Sequence, residues 1–155
     1  MSQERVGSTA PSFSLMTDEG ELFDSSSLEG QWRVIFFYSR VNSPTCKRGC
    51  LTFKQQYDLF ASAGCAVIGI GPGTVEQQAS FKKSLGGLPF PLLADAERAV
   101  GISFGVPLHL GQFPAKSSFL IAPDNTIRYV YDWLFRPRRH VAKILADISS
   151  VTGDS

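Results

Sequence analysis

Cysteine is scarce: the chain holds 3, Cys46, Cys50 and Cys65. An odd, low count excludes a disulfide scaffold, and in a reducing compartment such thiols are reactive, metal-binding or simply buried. An excess of one charge is also missing. Lys+Arg number 15 and Asp+Glu 14, a formal net charge of +1, so neither nucleic acid nor an anionic membrane surface is indicated as a partner. The local basic run of Arg136, Arg138, Arg139 and Lys143 reads as the solvated start of a helix. No apolar stretch approaches the roughly 18 residues of a membrane span, and Met1 to Ser14 lacks the apolar core of a signal peptide. The expected location is therefore the cytoplasm, or an organelle if a transit peptide has been removed. Repeats and low-complexity linkers are absent. Ser25-Ser26-Ser27 is too short to divide domains, so residues 1–155 read as a single domain. Gly69-Ile70-Gly71-Pro72-Gly73 contains a proline and lacks the spacing of a phosphate-binding loop.

What is present is a core. Apolar residues make up 43% and charged residues 19% of the chain, ordinary for a soluble globular protein. Arg33 to Tyr38 is a continuous apolar run, as expected of a central strand covered on both faces. Thr45 to Ala63 reads as one helix, with Cys50, Phe53, Tyr57 and Phe60 on one apolar face and Gly64 as its stop. Ala66 to Ile70 is a second strand. Thr74 is placed to cap a helix reaching Ser84, closed by Gly86-Gly87. Phe90 to Ala94 is a short strand, and Asp95 caps a brief helix that includes Val100. Ser117 to Ala122 and Ile127 to Tyr131 form a hairpin around Pro123-Asp124-Asn125-Thr126. A last helix starts near Pro137 and carries a Val141, Ile144, Leu145, Ile148 stripe. The order β-α-β-α-β-α, then hairpin, then helix, implies an α/β fold: a central mixed sheet flanked by helices on both faces. Ligand sites in such sheets lie beyond the carboxyl ends of the parallel strands. Cys46 stands just past one of these ends.

In the first turn of a helix, Cys46 faces unpaired backbone N–H groups and the positive end of the helix dipole. Arg40, Lys47 and Arg48 add positive charge nearby. Such settings pull a cysteine pKa below its usual value of roughly 8.5. The thiolate is the form that attacks an O–O bond, and sulfenic acid is the product. Ser43, three residues earlier, is placed to offer its hydroxyl to the sulfur or to a peroxide oxygen. The bland alternative for Cys46 is a buried structural thiol.

From Val6 to Ile148 the chain resembles the peroxiredoxins, specifically the Q-type or bacterioferritin-comigratory group of thioredoxin-like AhpC/TSA proteins. The resemblance is carried by Ala10-Pro11-Ser12-Phe13-Ser14-Leu15, by Phe37-Tyr38 before the active loop, and by Ala63-Gly64-Cys65-Ala66-Val67-Ile68-Gly69-Ile70. It continues in Leu88-Pro89-Phe90-Pro91-Leu92-Leu93-Ala94-Asp95, Gly105-Val106-Pro107, Phe119-Leu120-Ile121 and Arg136-Pro137-Arg138-Arg139-His140-Val141. It implies a thiol peroxidase that reduces hydrogen peroxide and organic hydroperoxides and is recycled by thioredoxin or a glutaredoxin-type thiol. It implies no metal or organic cofactor, and a monomer or weak dimer. The family signature is Pro-x-x-x-Thr/Ser-x-x-Cys. Matched to it, Cys46 is the peroxidatic position and Ser43 the allowed hydroxyl, and two backbone N–H groups of the loop would hold the peroxide.

The match departs from the signature at four places. Ser39 stands where the proline belongs, and Thr45 replaces the usual glycine before the nucleophile. The catalytic arginine falls at Lys116, which keeps the charge but loses the bidentate fork; Arg40 or Arg48 would have to compensate. The resolving cysteine of this helix belongs at Leu51, and Cys50 sits one place earlier. At that spacing the two Cα atoms lie about 6 Å apart, but the Cβ atoms are too distant for a disulfide unless the helix unwinds. Cys50 is therefore expected either to resolve, by a Cys46–Cys50 bond formed when oxidation melts the first turn, or to pack in the core. Cys65 is expected to be structural, out of reach of Cys46, and His140 to cap or pack. Phe37, Phe104 and Leu110 are expected around the active loop, favouring alkyl hydroperoxides.

Two other readings stay open. Cys-x-x-x-Cys on this fold also resembles the copper site of Sco-type chaperones, where soft thiolates and an imidazole bind the metal. That family's histidine precedes the late strand, where this chain has Pro114, Ala115 and Lys116; His109 and His140 stand elsewhere. A catalytically degenerate peroxiredoxin-like module is the second, given Ser39 and Lys116.

Overall fold

The apolar run after Gln31 has no polar face to turn to water, so it can persist only in the middle of a sheet covered on both sides. In the computed structural model it forms Trp32–Phe37 and lies at the centre, buried along nearly its whole length. The structure describes residues 5–39, 43–106, 108–109, 113–114, 117–132 and 137–152.

The strands are β1 (Ser14–Thr17), β2 (Leu22–Asp24), β3 (Trp32–Phe37), β4 (Cys65–Gly71), β5 (Leu92–Ala94), β6 (Leu108–His109), β7 (Phe113–Pro114), β8 (Ser117–Ile121) and β9 (Ile127–Asp132). The helices are α1 (Pro44–Gln55), α2 (Tyr57–Ser62), α3 (Val75–Ser84), α4 (Ala99–Ser103) and α5 (Pro137–Thr152). A seven-stranded sheet runs β2-β1-β5-β4-β3-β8-β9, and β6 and β7 pair separately. β3, β4 and β5 are parallel neighbours, while β8 is antiparallel to β3 and to β9. This is the mixed thioredoxin-like sheet that the apolar runs implied.

Alternation along β3 divides the core between the two sheet faces. Val34, Phe36 and Tyr38 join Cys46, Cys50, Phe53, Phe60, Val141, Ile144 and Ile148 in one cluster, which holds α1 and α5 on that face. Ile35 and Phe37 join Phe13, Val100, Phe104, Phe119 and Ile127 in the other. Among the described residues, Phe37 and Phe104 therefore do not line the side of the sheet that carries Cys46, contrary to the sequence-based expectation; Leu110 lies outside the described residues.

Three further expectations are amended. The helix expected over 45–63 is two helices, broken at Gln56 (φ −99, ψ 6). No Pro or Gly causes the break. It follows from packing: Phe53 and Phe60 both enter the core, with ring centroids 5.6 Å apart, while Tyr57 leans toward Phe90 at 6.3 Å. The β1–β2 hairpin was not expected, because its short strands are largely exposed at the sheet edge and carry little alternation. Third, Asp95 reaches α4 from outside the helix. Its carboxylate accepts from the amides of Val100 (3.2 Å) and Gly101 (2.9 Å), while Arg98 occupies the cap in a left-handed conformation. Thr74 does cap α3 as expected, in a reciprocal box with Gln77.

The glycines of Gly69-Ile70-Gly71 have a packing reason. A Cβ at Gly71 would come within 2.1 Å of the Tyr38 ring, and one at Gly69 within 2.7 Å of the Phe36 ring. The rings of β3 thus lie over a floor that only glycine leaves open. The Tyr38 hydroxyl donates to Gln78 Oε1, and Gln78 Nε2 donates to the Gly71 carbonyl at 3.1 Å, which ties α3 to the same spot. Gly71→Ala should lower stability by between about 1 and 3 kcal/mol through overpacking, measured by chemical denaturation. An unchanged midpoint would mean that the ring and strand part freely.

Candidate active site

The chain leaves β3 through Tyr38, whose amide donates to the Ile70 carbonyl at 3.1 Å and adds one rung to the β3–β4 ladder. It re-enters regular structure at Ser43, which has extended torsions (φ −73, ψ 144) and is the N-cap of α1. Pro44 occupies the first helical turn, where its missing N–H leaves nothing unsatisfied. Ser43 Oγ accepts from the Cys46 amide at 3.1 Å, and the Ser43 carbonyl accepts from the Lys47 amide at 2.9 Å. These contacts hold Cys46 at the start of α1, where the helix dipole favours negative charge.

A second hydroxyl, not singled out in the sequence for this place, lies at the sulfur: Ser39 Oγ is 3.5 Å from Cys46 Sγ, beside Ser43, whose oxygen accepts from the Cys46 amide. Proximity in the fold, across an intervening loop, made this contact invisible to spacing arguments. Its one signal was the departure of Ser39 from the family proline.

Cys46 and Cys50 are both fully buried (0% exposed) and share the α1-side cluster with Tyr38. Complete burial is the feature the structural-thiol alternative expects of Cys46; for the reactive reading, substrate can reach the sulfur only through a local opening. All three cysteines are free thiols. Burial, reinforced by the neighbouring Cys46, pushes the Cys50 thiol far above its ordinary range. Desolvation likewise pushes Cys65 up to about 12. Cys65 begins β4, paired in register with Trp32 at the amino end of β3, while Cys46 follows the carboxyl end of β3. The two sulfurs thus belong to opposite ends of the sheet.

The expected cations are placed unevenly. Arg48 is exposed and donates to the Thr45 hydroxyl at 3.3 Å, three residues back on its own helix. Arg40 and Lys116 lie outside the described residues. His140 is buried on α5, its ring edge-on to Phe53 (centroids 5.7 Å) and Tyr131 (5.9 Å). It packs α5 against α1 and the sheet. Among the described residues, no cluster of three or more His, Cys, Asp or Glu side chains could hold a metal, so the copper reading finds no ligand set there. No described helix is long and apolar enough to cross a membrane.

A family model described as the AhpC/TSA family matches residues 6–130. The chain is 32% identical over 146 residues to peroxiredoxin Q, chloroplastic, of Oryza sativa subsp. japonica, a match covering 94% of this chain and 67% of the relative. It is likewise 32% identical over 146 residues to peroxiredoxin Q, chloroplastic, of Sedum lineare, covering 94% and 78%. Among solved structures it is similar to peroxidoxin BcpB of Mycobacterium tuberculosis, with a TM-score of 0.86, 28% identity and coverage of 95% of this chain and 97% of that one.

The burial of His140 has a pH consequence. Desolvation lowers its pKa from 6.5 to about 3. Between these values the unfolded chain binds a proton that the folded chain refuses, so stability falls as pH drops below the unfolded value. The loss attributable to His140 should approach about 1.4 kcal/mol per pH unit below the unfolded pKa. Thermal or chemical melts from pH 7 to pH 4 should fall less steeply for His140→Phe than for the wild type. Parallel curves would show that His140 titrates normally in the folded protein.

Proposed function

This chain belongs to the AhpC/TSA family and is a peroxiredoxin-type thiol peroxidase; from that premise we propose that Cys46 is the sulfur its hydroperoxide substrate oxidises. The observation that carries this reading is the placement of Cys46 alone among the three cysteines at a helix start, its amide held by Ser43 and its sulfur beside a hydroxyl. Cys50 lies one turn deeper and Cys65 begins a strand, and burial opposes ionisation of both thiols.

The Cys46 thiolate attacks the distal peroxide oxygen. An S–O bond forms as the O–O bond breaks, and the departing alkoxide or hydroxide takes up a proton, leaving a sulfenic acid. Matching the family pattern, Lys116 supplies positive charge to the departing oxygen, with Arg40 as a second source. A thiol then condenses with the sulfenic acid, releasing water and forming a disulfide. We assign that thiol to Cys50, once the first turn of α1 has unwound, with thioredoxin or a glutaredoxin-type thiol reducing the product. Within an intact helix the i, i+4 geometry keeps the Cβ atoms too far apart, and the Cys50 thiol is held protonated. A reducing compartment, cytoplasm or organelle, suits the three free thiols.

Stopped-flow peroxide consumption should fall by at least about 10³-fold for Cys46→Ser, as for loss of any covalent nucleophile. Cys50→Ser should keep the first oxidation and lose thioredoxin-driven turnover. Mass spectrometry of the peroxide-treated wild type should show a Cys46–Cys50 link. A sulfenic or sulfinic Cys46 beside a free Cys50 thiol would replace the two-cysteine cycle by a one-cysteine cycle with an external thiol. Undiminished consumption by Cys46→Ser would remove Cys46 from the reaction.

A further inference from the structure

Peroxide reduction needs an ionised sulfur, and a hydroxyl seen against that sulfur belongs to a residue the family pattern does not supply. The resemblance places proline where this chain has Ser39. Proline carries no side-chain donor. Ser39 Oγ lies 3.5 Å from Cys46 Sγ, and in the neutral pair either atom can be the donor. Once Cys46 ionises, the sulfur has no proton left, so the Ser39 O–H alone can donate. The contact then becomes charge-assisted, and such bonds are markedly stronger than neutral ones. A hydrogen bond that strengthens on ionisation favours the ionised form.

Two observations support Ser39 as that donor. Among the described residues the hydroxyl seen against the sulfur is that of Ser39, while the Ser43 oxygen is seen accepting from the Cys46 amide at 3.1 Å. The strand end from which Ser39 springs is held on both sides. The Tyr38 amide bonds to Ile70 O and its hydroxyl donates to Gln78, so the backbone presenting Ser39 is fixed before the loop begins.

We propose that Ser39 is a positioning residue that donates to the Cys46 thiolate, holding it ionised and aimed. The inference rests on Cys46 as the oxidised sulfur, but it is tested without peroxide. Thiolate absorbance in the ultraviolet is followed against pH for the wild type and for Ser39→Ala, Ser39→Thr and Ser39→Val. Each curve is taken as a difference from the same protein carrying Cys46→Ser. Burial pushes the Cys50 and Cys65 thiols up, and the subtraction removes their remaining signal, so the difference curve reports Cys46. Ser39→Ala and Ser39→Val should move the midpoint upward, leaving about three- to tenfold less thiolate below it, while Ser39→Thr stays with the wild type. The second-order rate with peroxide at neutral pH should fall by the same factor in Ala and Val. Threonine and valine have nearly the same shape and differ in the hydroxyl, so they carry the comparison even if Ser39→Ala fails to fold. Superimposed Thr and Val curves, or an Ala curve on top of the wild type, would overturn the assignment. Loss of peroxidase activity in Cys46→Ser is read separately, so the two claims can fail independently.

Discussion

The hydrogen bond from the Cys46 amide to the Ser43 hydroxyl is the contact on which the site depends. A strand leaving a sheet arrives with extended torsions, and a helix must begin with donors that have no partner inside it. Ser43 resolves both demands, since it keeps the extended torsions of the incoming chain and accepts from the third helical residue. Pro44 then sets the helical φ without adding an orphan donor. The sulfur is thereby delivered to the one end of α1 where negative charge is favoured. Ser39 and Ser43 have separate tasks in this arrangement. Ser43 holds the backbone and Ser39 meets the sulfur.

The same geometry would be useless without a firm surface beneath α1. Phe53 stacks on Phe36 with ring centroids 4.4 Å apart, and Tyr38 lies against Phe81 at 5.6 Å. Both β3 rings sit where β4 presents glycine, so their depth in the sheet is set by the absence of two Cβ atoms. The Tyr38–Gln78–Gly71 chain of hydrogen bonds closes the far side. Helix, strand and loop base are consequently one packed unit. The opposite sheet face is organised separately, around Arg33 and the aromatic group of Phe37, Phe104 and Phe119. There the Arg33 guanidinium donates to the carbonyls of Leu28 and Gln31 at 3.1 Å each and also bonds Asn125.

Much of this was legible from the sequence, and the exceptions have physical causes. The β3 run, the capped α3, the hairpin of β8 and β9 and the α5 stripe are signals of periodicity and capping, which act within a few residues. The break at Gln56 carries no local signal, because it arises from where Phe53, Tyr57 and Phe60 find room in the core. The exposed hairpin of β1 and β2 lacks the alternation that burial of one face imposes. At the site, the position of Cys46 at a helix start follows from Ser43-Pro44 and is readable in the sequence. The approach of Ser39 to its sulfur is a tertiary contact across a loop, whereas the placement of Phe37 on the face opposite Phe36 was readable from alternation along β3. The steric purpose of Gly69 and Gly71 appears only once Phe36 and Tyr38 are seen against them.

A buried nucleophile and a buried partner one turn apart pose a problem that the helix itself helps to resolve. Neither sulfur is exposed, and an intact turn keeps them from bonding, so the proposed two-cysteine cycle would require α1 to open between them. The opening has a natural limit. Phe53 is stacked on Phe36, packed against Phe60 and edge-on to His140, and truncating a side chain so placed typically costs about 3–5 kcal/mol. Unwinding past Phe53 would forfeit that anchor. Before it the helix is weak: Gly49 stands between the cysteines, and an internal glycine disfavours helix by about 1 kcal/mol relative to alanine. The first turn, held by the Ser43 cap and the burial of Cys46, has less aromatic packing to lose than the part of α1 beyond it. Under the proposed cycle a local opening must first admit the substrate, and the sulfenic oxygen then added to the fully buried Cys46 needs space and displaces the Ser39 contact, which favours melting of the first turn over closure.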